Sequence, residues 1–393
     1  MEFGIFNGAY VPASLVEAEG RSAEHRRFKG EIEWVKAADR SGFKYLWATE
    51  HHFLEEYSHL SANESFLGYC AAATERIHVG SGIFNVTPPV NHPVRVAERT
   101  AVLDILSDGR FELGMGRGSS TTEQAGFGID DPDLTRDMFD EVVPEIVKMW
   151  QPGPYPGFDG RFFTMPERTV LPKPWTLPHP PLWVAAGSPS TFQKAAHLGL
   201  GVLCFTAGTS DELKPLIETY KREITKAEPV GGYVNDNVMV TTSMLCLEDG
   251  DRARDLVARA RGHYHKSLLF RYLDTFPRPA GTPEWPELCE PLTREEIAAA
   301  AAFGEWPIGD PGDAHRAVQT WVDAGADQLT FGMLSQELPV EAVIEATELF
   351  GREVIPHFDT DPVHRTTRLR EEQVGSEGAP RGHGVANGIQ RAP

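Results

Sequence analysis

The chain of 393 residues has only four cysteines, Cys70, Cys204, Cys246 and Cys289, which are far apart, with no C-x-x-C pair and no histidine at ligand spacing. A disulfide framework and a structural zinc site are therefore not expected. No apolar run reaches the ~18 residues that a membrane-spanning helix needs, and residues 1–8 lack the basic and apolar stretches of a signal peptide. A cytoplasmic protein is expected. Positive charge is also scarce: 37 basic against 57 acidic residues leave a net charge of −20, which repels nucleic acid and anionic lipid. Neither is an expected partner. The chain offers no glycine-rich β-α-β fingerprint for a nicotinamide dinucleotide, and no aromatic residue follows Phe358.

Apolar residues make up 41% and charged residues 24%, enough to bury a sizeable core beneath a soluble surface. Short apolar runs alternate with stretches of helical period, the rhythm of βα units. Strands are predicted at 3–6, 45–48, 77–83, 111–115, 182–185, 202–205, 238–246 and 328–331. The stretch 24–39, with Phe28, Ile32 and Val35 at helical spacing and a stop at Ser41-Gly42, typifies the helices between them. Eight strands with intervening helices predict an α/β fold, a (β/α)8 barrel, as one domain over 1–358. Two proline-rich stretches, about 151–180 and 274–310, read as insertions over its C-terminal face, and 359–393 as a disordered tail.

In such barrels the reactive groups sit at the carboxyl ends of the strands. Strand two runs into Glu50-His51-His52-Phe53. Side chains alternate along a strand, so at most one of the two histidines faces the mouth. Strand four runs into Gly114-Met115-Gly116-Arg117-Gly118, where glycines admit a ligand close to the backbone and Arg117 suits an anion, although a plain turn explains the glycines equally well. Strand five ends in Gly187-Ser188-Pro189-Ser190-Thr191, which opens a helix with hydroxyls and free N–H groups, suited to a phosphate or to ordinary N-capping. Two such features on neighbouring strands point to one phosphate.

In these motifs the chain resembles bacterial luciferase and its flavin-dependent monooxygenase relatives. The resemblance is carried by Met1 to Phe6, Ser41 to Phe53, His92-Pro93-Val94-Arg95, Ser107 to Phe111, Gly116-Arg117-Gly118, Ala186 to Thr191 and Ile308 to Asp327, and it covers residues 1 to about 356. It implies that Arg117, Gly187, Ser188 and Thr191 hold the phosphate of FMN. Backbone around Glu50, Gly82, Gly116 and Ala185 would line the isoalloxazine. His51 would be the catalytic base or proton donor beside the flavin, and Phe6 and Tyr264 would line the substrate pocket. The insertion 274–310 matches a mobile loop that closes over the reduced flavin and excludes water.

The implied reaction is that of a two-component monooxygenase. FMNH2 comes from a separate flavin reductase, molecular oxygen adds at the flavin 4a position to give the hydroperoxide, and a small organic substrate is oxygenated. Departures from luciferase itself are Gly116 in place of a reactive cysteine and Tyr264 in place of a tryptophan, so light emission from a long-chain aldehyde is not expected. The alternative in the same superfamily is hydride transfer with a deazaflavin and no oxygen. Remoter ones are a non-catalytic flavin-binding barrel and a metal-dependent hydrolase, whose usual H-x-H at a strand end is missing, since His263 and His265 fall in a helix. A homodimer is expected through the helix at 63–74, whose Ala71-Ala72-Ala73 patch permits close contact.

Overall fold

The computed structural model describes residues 1–205, 209–274 and 278–375. Its eight barrel strands are β1 (Glu2–Asn7), β2 (Tyr45–Ala48), β3 (His78–Ser81), β4 (Phe111–Gly116), β5 (Leu182–Ala185), β6 (Gly201–Cys204), β7 (Val238–Thr242) and β8 (Gln328–Phe331). Each pairs in parallel with the next, β1 also pairs with β8, and the pairing Val79↔Phe111 joins β3 to β4, so the sheet closes on itself. The expected (β/α)8 barrel is the fold.

Alternation along the strands separates two cores. Phe3, Ile5, Leu46, Val79, Leu113 and Val184 face outward, under the helices, whereas Tyr45, Trp47, Trp183, Leu203 and Met239 fill the barrel. The two indoles fit because their neighbours carry no side chain. A Cβ on Gly80 would lie 2.4 Å from the Trp47 ring, and one on Gly201 2.5 Å from Trp183. Their N–H groups point down into a polar layer, Trp47 donating to Gln328 at 2.6 Å and Trp183 to Glu112 at 2.7 Å. Burial pushes the Glu112 carboxyl up to about 8. Outside, helix Ser22–Arg40 buries Ile32, Trp34, Val35 and Ala38, and Trp34 donates to Thr347 on helix Val340–Glu353 at 3.0 Å.

The structure differs from expectation in four places. Strand three ends at Ser81, and after the cis Gly82–Ile83 bond the pair Phe84–Asn85 runs beside Met115 and Gly116. Strand seven ends at Thr242, because Leu245 and Leu247 leave the barrel for the outer core, where Leu245–Cys246 pairs with Ile308–Gly309. The stretch 151–180 does not arise over the C-terminal face but climbs toward it along the outside of the barrel. Helix Leu134–Met149 runs antiparallel to β4, so the segment after it starts at the amino-terminal face and rejoins β5 there. Its hairpin, Phe158–Asp159 with Thr164–Met165, lies along that helix with Arg161 on Asp137, and Thr176 binds the Asp104 carboxylate. The stretch 274–310 does reach the mouth: Asp274 accepts from the Thr121 N–H at 2.9 Å and Trp285 packs against Tyr264.

The fourth difference is the expected tail. Helix Arg365–Val374 seals the amino-terminal end of the barrel, with Thr366 donating to Glu112 at 2.7 Å, Arg370 buried and His364 stacked on His78 at 3.5 Å. These contacts are polar, so the segment carries no apolar signal of its burial. Residues 376–393 lie outside the described residues. Among those described, no helix is long and apolar enough to cross a membrane.

Candidate active site

The two histidines after β2 diverge, and each meets its own carboxylate. Glu50, 6% exposed, accepts from the Asn85 N–H at 3.1 Å, from Asn91 at 2.8 Å and from Arg99 at 3.4 Å, and lies 3.2 Å from His52 Nε2. Its carboxylate thereby pins the loop after β3, leaving its backbone for any ligand. His52 also stands edge-on to Phe127, 4.9 Å between ring centres. His51 turns to the other side, with Nδ1 3.2 Å from Glu123 and its ring edge-on to Tyr57 at 5.4 Å.

Tyr57 begins an aromatic wall. It stacks on His265 at 5.1 Å, and Tyr10 stands edge-on to that imidazole at 4.8 Å. Burial pushes His265 down to about 4, helped by Arg27, so it is neutral at neutral pH. Tyr264 belongs to the same wall, its hydroxyl on Glu56 at 2.7 Å and its ring near Trp285. Two residues apart on helix Gly262–Tyr272, His263 and His265 face different ways. Among the described residues no three His, Cys, Asp or Glu side chains gather in a metal-binding cluster.

Phe6 and Phe205 lie 4.9 Å apart and form the upper rim of the barrel core with Ile83. Gly82 sits against both rings: a Cβ there would come within 3.4 Å of each. At Gly116 a Cβ would stand 2.7 Å from Ile83. The packing of Ile83 thus leaves no room for a side chain at Gly116, whereas Gly82 is in ordinary contact with the two rings.

The register Met115↔Val184, continued two residues, puts Arg117 beside Ala186, just past Ala185 at the end of β5 and just before the Gly187–Thr191 turn. Arg117 donates to the neutral Thr135 hydroxyl at 2.8 Å. Burial and then Arg136 destabilise its charge, against Asp133 and Asp140, so an incoming anion would relieve it. In the turn, Ser188 caps helix Pro189–His197, with its Oγ 2.7 Å from the Thr191 hydroxyl and 3.1 Å from that of Ser190. One guanidinium, three hydroxyls and a helix N-terminus fit a phosphate. The side-chain polar atoms of Gln124 and Ser120, both residues at most 2% exposed, have no hydrogen-bond partner among the described residues, which fits a ligand with a polar edge.

The sequence profile of the luciferase-like monooxygenases matches residues 1–328. The chain belongs to that family. Within it, the chain is 32% identical over 183 residues to the oxygenase component of flavin-dependent trigonelline monooxygenase from Acinetobacter baylyi, a match covering 46% of this chain and 49% of that enzyme. It is 28% identical to the F420-dependent glucose-6-phosphate dehydrogenase of Beutenbergia cavernae, over 90% of this chain and 97% of that one. The fold superposes with TM-score 0.72, at 20% identity over 91% of this chain and 98% of the other, on the FMN-bound oxygenating constituent of 3,6-diketocamphane monooxygenase from Pseudomonas putida. This luciferase-like chain therefore has both flavin monooxygenases and deazaflavin enzymes among its relatives.

Sequence reasoning placed His51, Glu50, Phe6, Gly82 and Gly116 around one mouth, and Arg117 next to Ser188 and Thr191. It missed Glu123, Tyr57, His265 and Phe205. Glu123 carries no local signal, since only the closed barrel brings it to His51. His265 was visible as half of an H-x-H pair that was set aside as a metal site because it falls in a helix.

Proposed function

We propose that the chain is the oxygenase component of a two-component flavin monooxygenase, which receives FMNH2 from a separate reductase and uses molecular oxygen to oxygenate a small organic substrate. The observation that carries this reading is His51, held by Glu123, on the same barrel mouth as the phosphate cradle of Arg117, Ser188, Ser190 and Thr191. Arg117 and the turn would hold the phosphate, and Gly82, Gly116 and Ala185 would lie under the ring. When bound, the reduced flavin supplies the electrons that activate oxygen. Phe6, Phe205 and Ile83 exclude water from that face, and His51 takes up or delivers a proton at Nε2. The 32% identity to an oxygenase component supports this reading.

The rim favours FMN over a deazaflavin. FMN ends at its phosphate, whereas the deazaflavin coenzyme continues into a carboxylate-bearing tail. Beside Arg117 that tail would meet Asp133, while Asp140 is already paired with Lys194, on a chain of net charge −20. Anaerobic titration with FMNH2 and with the reduced deazaflavin, followed by oxygen-uptake measurements, tests the choice. Tight binding of FMNH2 with oxygen consumption is expected; binding of the deazaflavin alone, without oxygen uptake, overturns it.

The protein would work in the cytoplasm as a homodimer. Helix Asn63–Ala73 exposes Tyr69, and beside it helix Pro93–Leu106 exposes Val102, Ile105 and Leu106, 60% for the last. Leu106→Glu is expected to halve the mass measured by light scattering at micromolar concentration; a monomeric native protein would remove the dimer.

A further inference from the structure

We infer that Glu123 is the positioning residue for His51, fixing its imidazole as the Nδ1–H tautomer so that the lone pair of Nε2 is free for proton transfer. The inference rests on the monooxygenase reading only for what the proton is used for. The tautomer itself follows from geometry. Glu123 lies in the helical turn Thr121–Gly126 after β4, and its side chain is 5% exposed. The same oxygen, Oε1, accepts the His52 N–H at 2.8 Å and stands 3.2 Å from His51 Nδ1. A backbone N–H can only donate, so this oxygen is held in place as an acceptor. The imidazole nitrogen facing it must then carry the hydrogen.

Two other contacts keep the arrangement in place. Tyr57 stands edge-on to the His51 ring and is itself clamped by stacking on His265, which blocks rotation of the imidazole. The turn that carries Glu123 is tied to the mouth by Asp274, which accepts from both the N–H and the hydroxyl of Thr121. Free histidine in water prefers the opposite tautomer, with hydrogen on Nε2. Without Glu123, the nitrogen left for the substrate side would be a donor instead of a base. When a proton arrives at Nε2, the resulting imidazolium keeps its Nδ1–H on the carboxylate, and the charge is paired where it forms. His52 shows the contrast: its Nε2 is occupied by Glu50, so it has no free nitrogen to offer on that side.

The test reads the tautomer directly, in protein without flavin. Nitrogen-15 NMR of the imidazoles, with the His51 signals assigned by their loss in His51→Ala, is expected to show hydrogen on Nδ1 in the native protein. Glu123→Gln keeps an acceptor oxygen and should keep that tautomer; Glu123→Ala should move the hydrogen to Nε2. In turnover, Glu123→Ala should lower kcat by ~10- to 100-fold, as loss of an orienting carboxylate does, with KM for the reduced flavin little changed, and Glu123→Gln should recover much of the loss. A native His51 with hydrogen on Nε2, or a Glu123→Ala variant that keeps it on Nδ1, overturns the inference. If the tautomer responds as expected but the native protein neither binds FMNH2 nor consumes oxygen, the positioning role stands and the monooxygenase reading falls.

Discussion

Thr366 donates its hydroxyl to Glu112 at 2.7 Å, across 254 residues of chain, and so fastens the last helix to the inside of the first half of the barrel. Glu112 also receives Trp183 Nε1 and lies 2.7 Å from Nδ1 of His78, whose charge is suppressed first by burial and then by Arg110, Arg370 and Lys44. This layer is the floor under the two indoles that support the mouth.

Thr366→Val keeps the shape of that contact and removes its donor. Glu112 keeps its contacts to His78 and Trp183, so the loss is that of one net hydrogen bond, about 0.5–1.5 kcal/mol. The urea midpoint is therefore expected to fall, with an unchanged slope, while flavin affinity at the far end of the barrel stays within twofold. An unaltered midpoint would mean that the helix is held by something other than this bond.

What could be read from the sequence was whatever its physics made local. Tyr45–Ala48 announces itself as an apolar run between Gly42 and a polar loop, and Arg117 and Ser188 gain meaning from lying at the ends of successive strands. The pairing of His51 with Glu123, 72 residues on, depends on barrel closure and on the path of a short helical turn that no periodicity encodes. The helix from Arg365 was hidden for a related reason: its anchors are Thr366 and Arg370, residue types that read as solvent-exposed until a buried carboxylate is seen above them. The location of 151–180 was a matter of direction, and counting strands alone does not supply it.

His179 gives an acid limit to stability. It is 1% exposed and uses both nitrogens, Nδ1 toward the Pro180 carbonyl at 2.8 Å and Nε2 as acceptor of the Gly232 N–H at 2.7 Å, and burial pushes it down to about 4. The unfolded chain binds the proton near 6.5, so between about 6.5 and 4 it holds a proton that the folded state does not. Stability from this group is complete above 6.5 and falls with pH by up to ~1.4 kcal/mol per unit in that window. Urea unfolding at a series of pH values should show His179→Gln losing less stability on acidification than the native protein; parallel curves would assign the acid sensitivity elsewhere.

Arg117→Ala is expected to weaken FMNH2 by one to two decades, since a charge-assisted bond to phosphate contributes ~1.5–3 kcal/mol. Riboflavin binding should hardly change, because riboflavin has no phosphate to lose. Equal affinities of the native protein for FMN and riboflavin would show that the turn at Ser188 is only a helix cap.

His51→Ala and His52→Ala form a matched pair, adjacent in sequence but bound to different carboxylates. Loss of a placed acid–base group commonly costs ~10²- to 10⁴-fold, and an oxygen-activating site that cannot move its proton releases hydrogen peroxide instead of product. With FMNH2 supplied chemically and substrates screened among aldehydes, ketones and aromatic compounds, His51→Ala should bind flavin normally, yet give mostly peroxide per flavin oxidised. His52→Ala should keep its product yield per turnover, since Nε2 of His52 is directed at Glu50, but lose some thermal stability with the loop that Glu50 pins. The reverse outcome, uncoupling in His52→Ala alone, would move the proton-transfer role to the Glu50 side of the loop and leave the Glu123 contact of His51 as structural support.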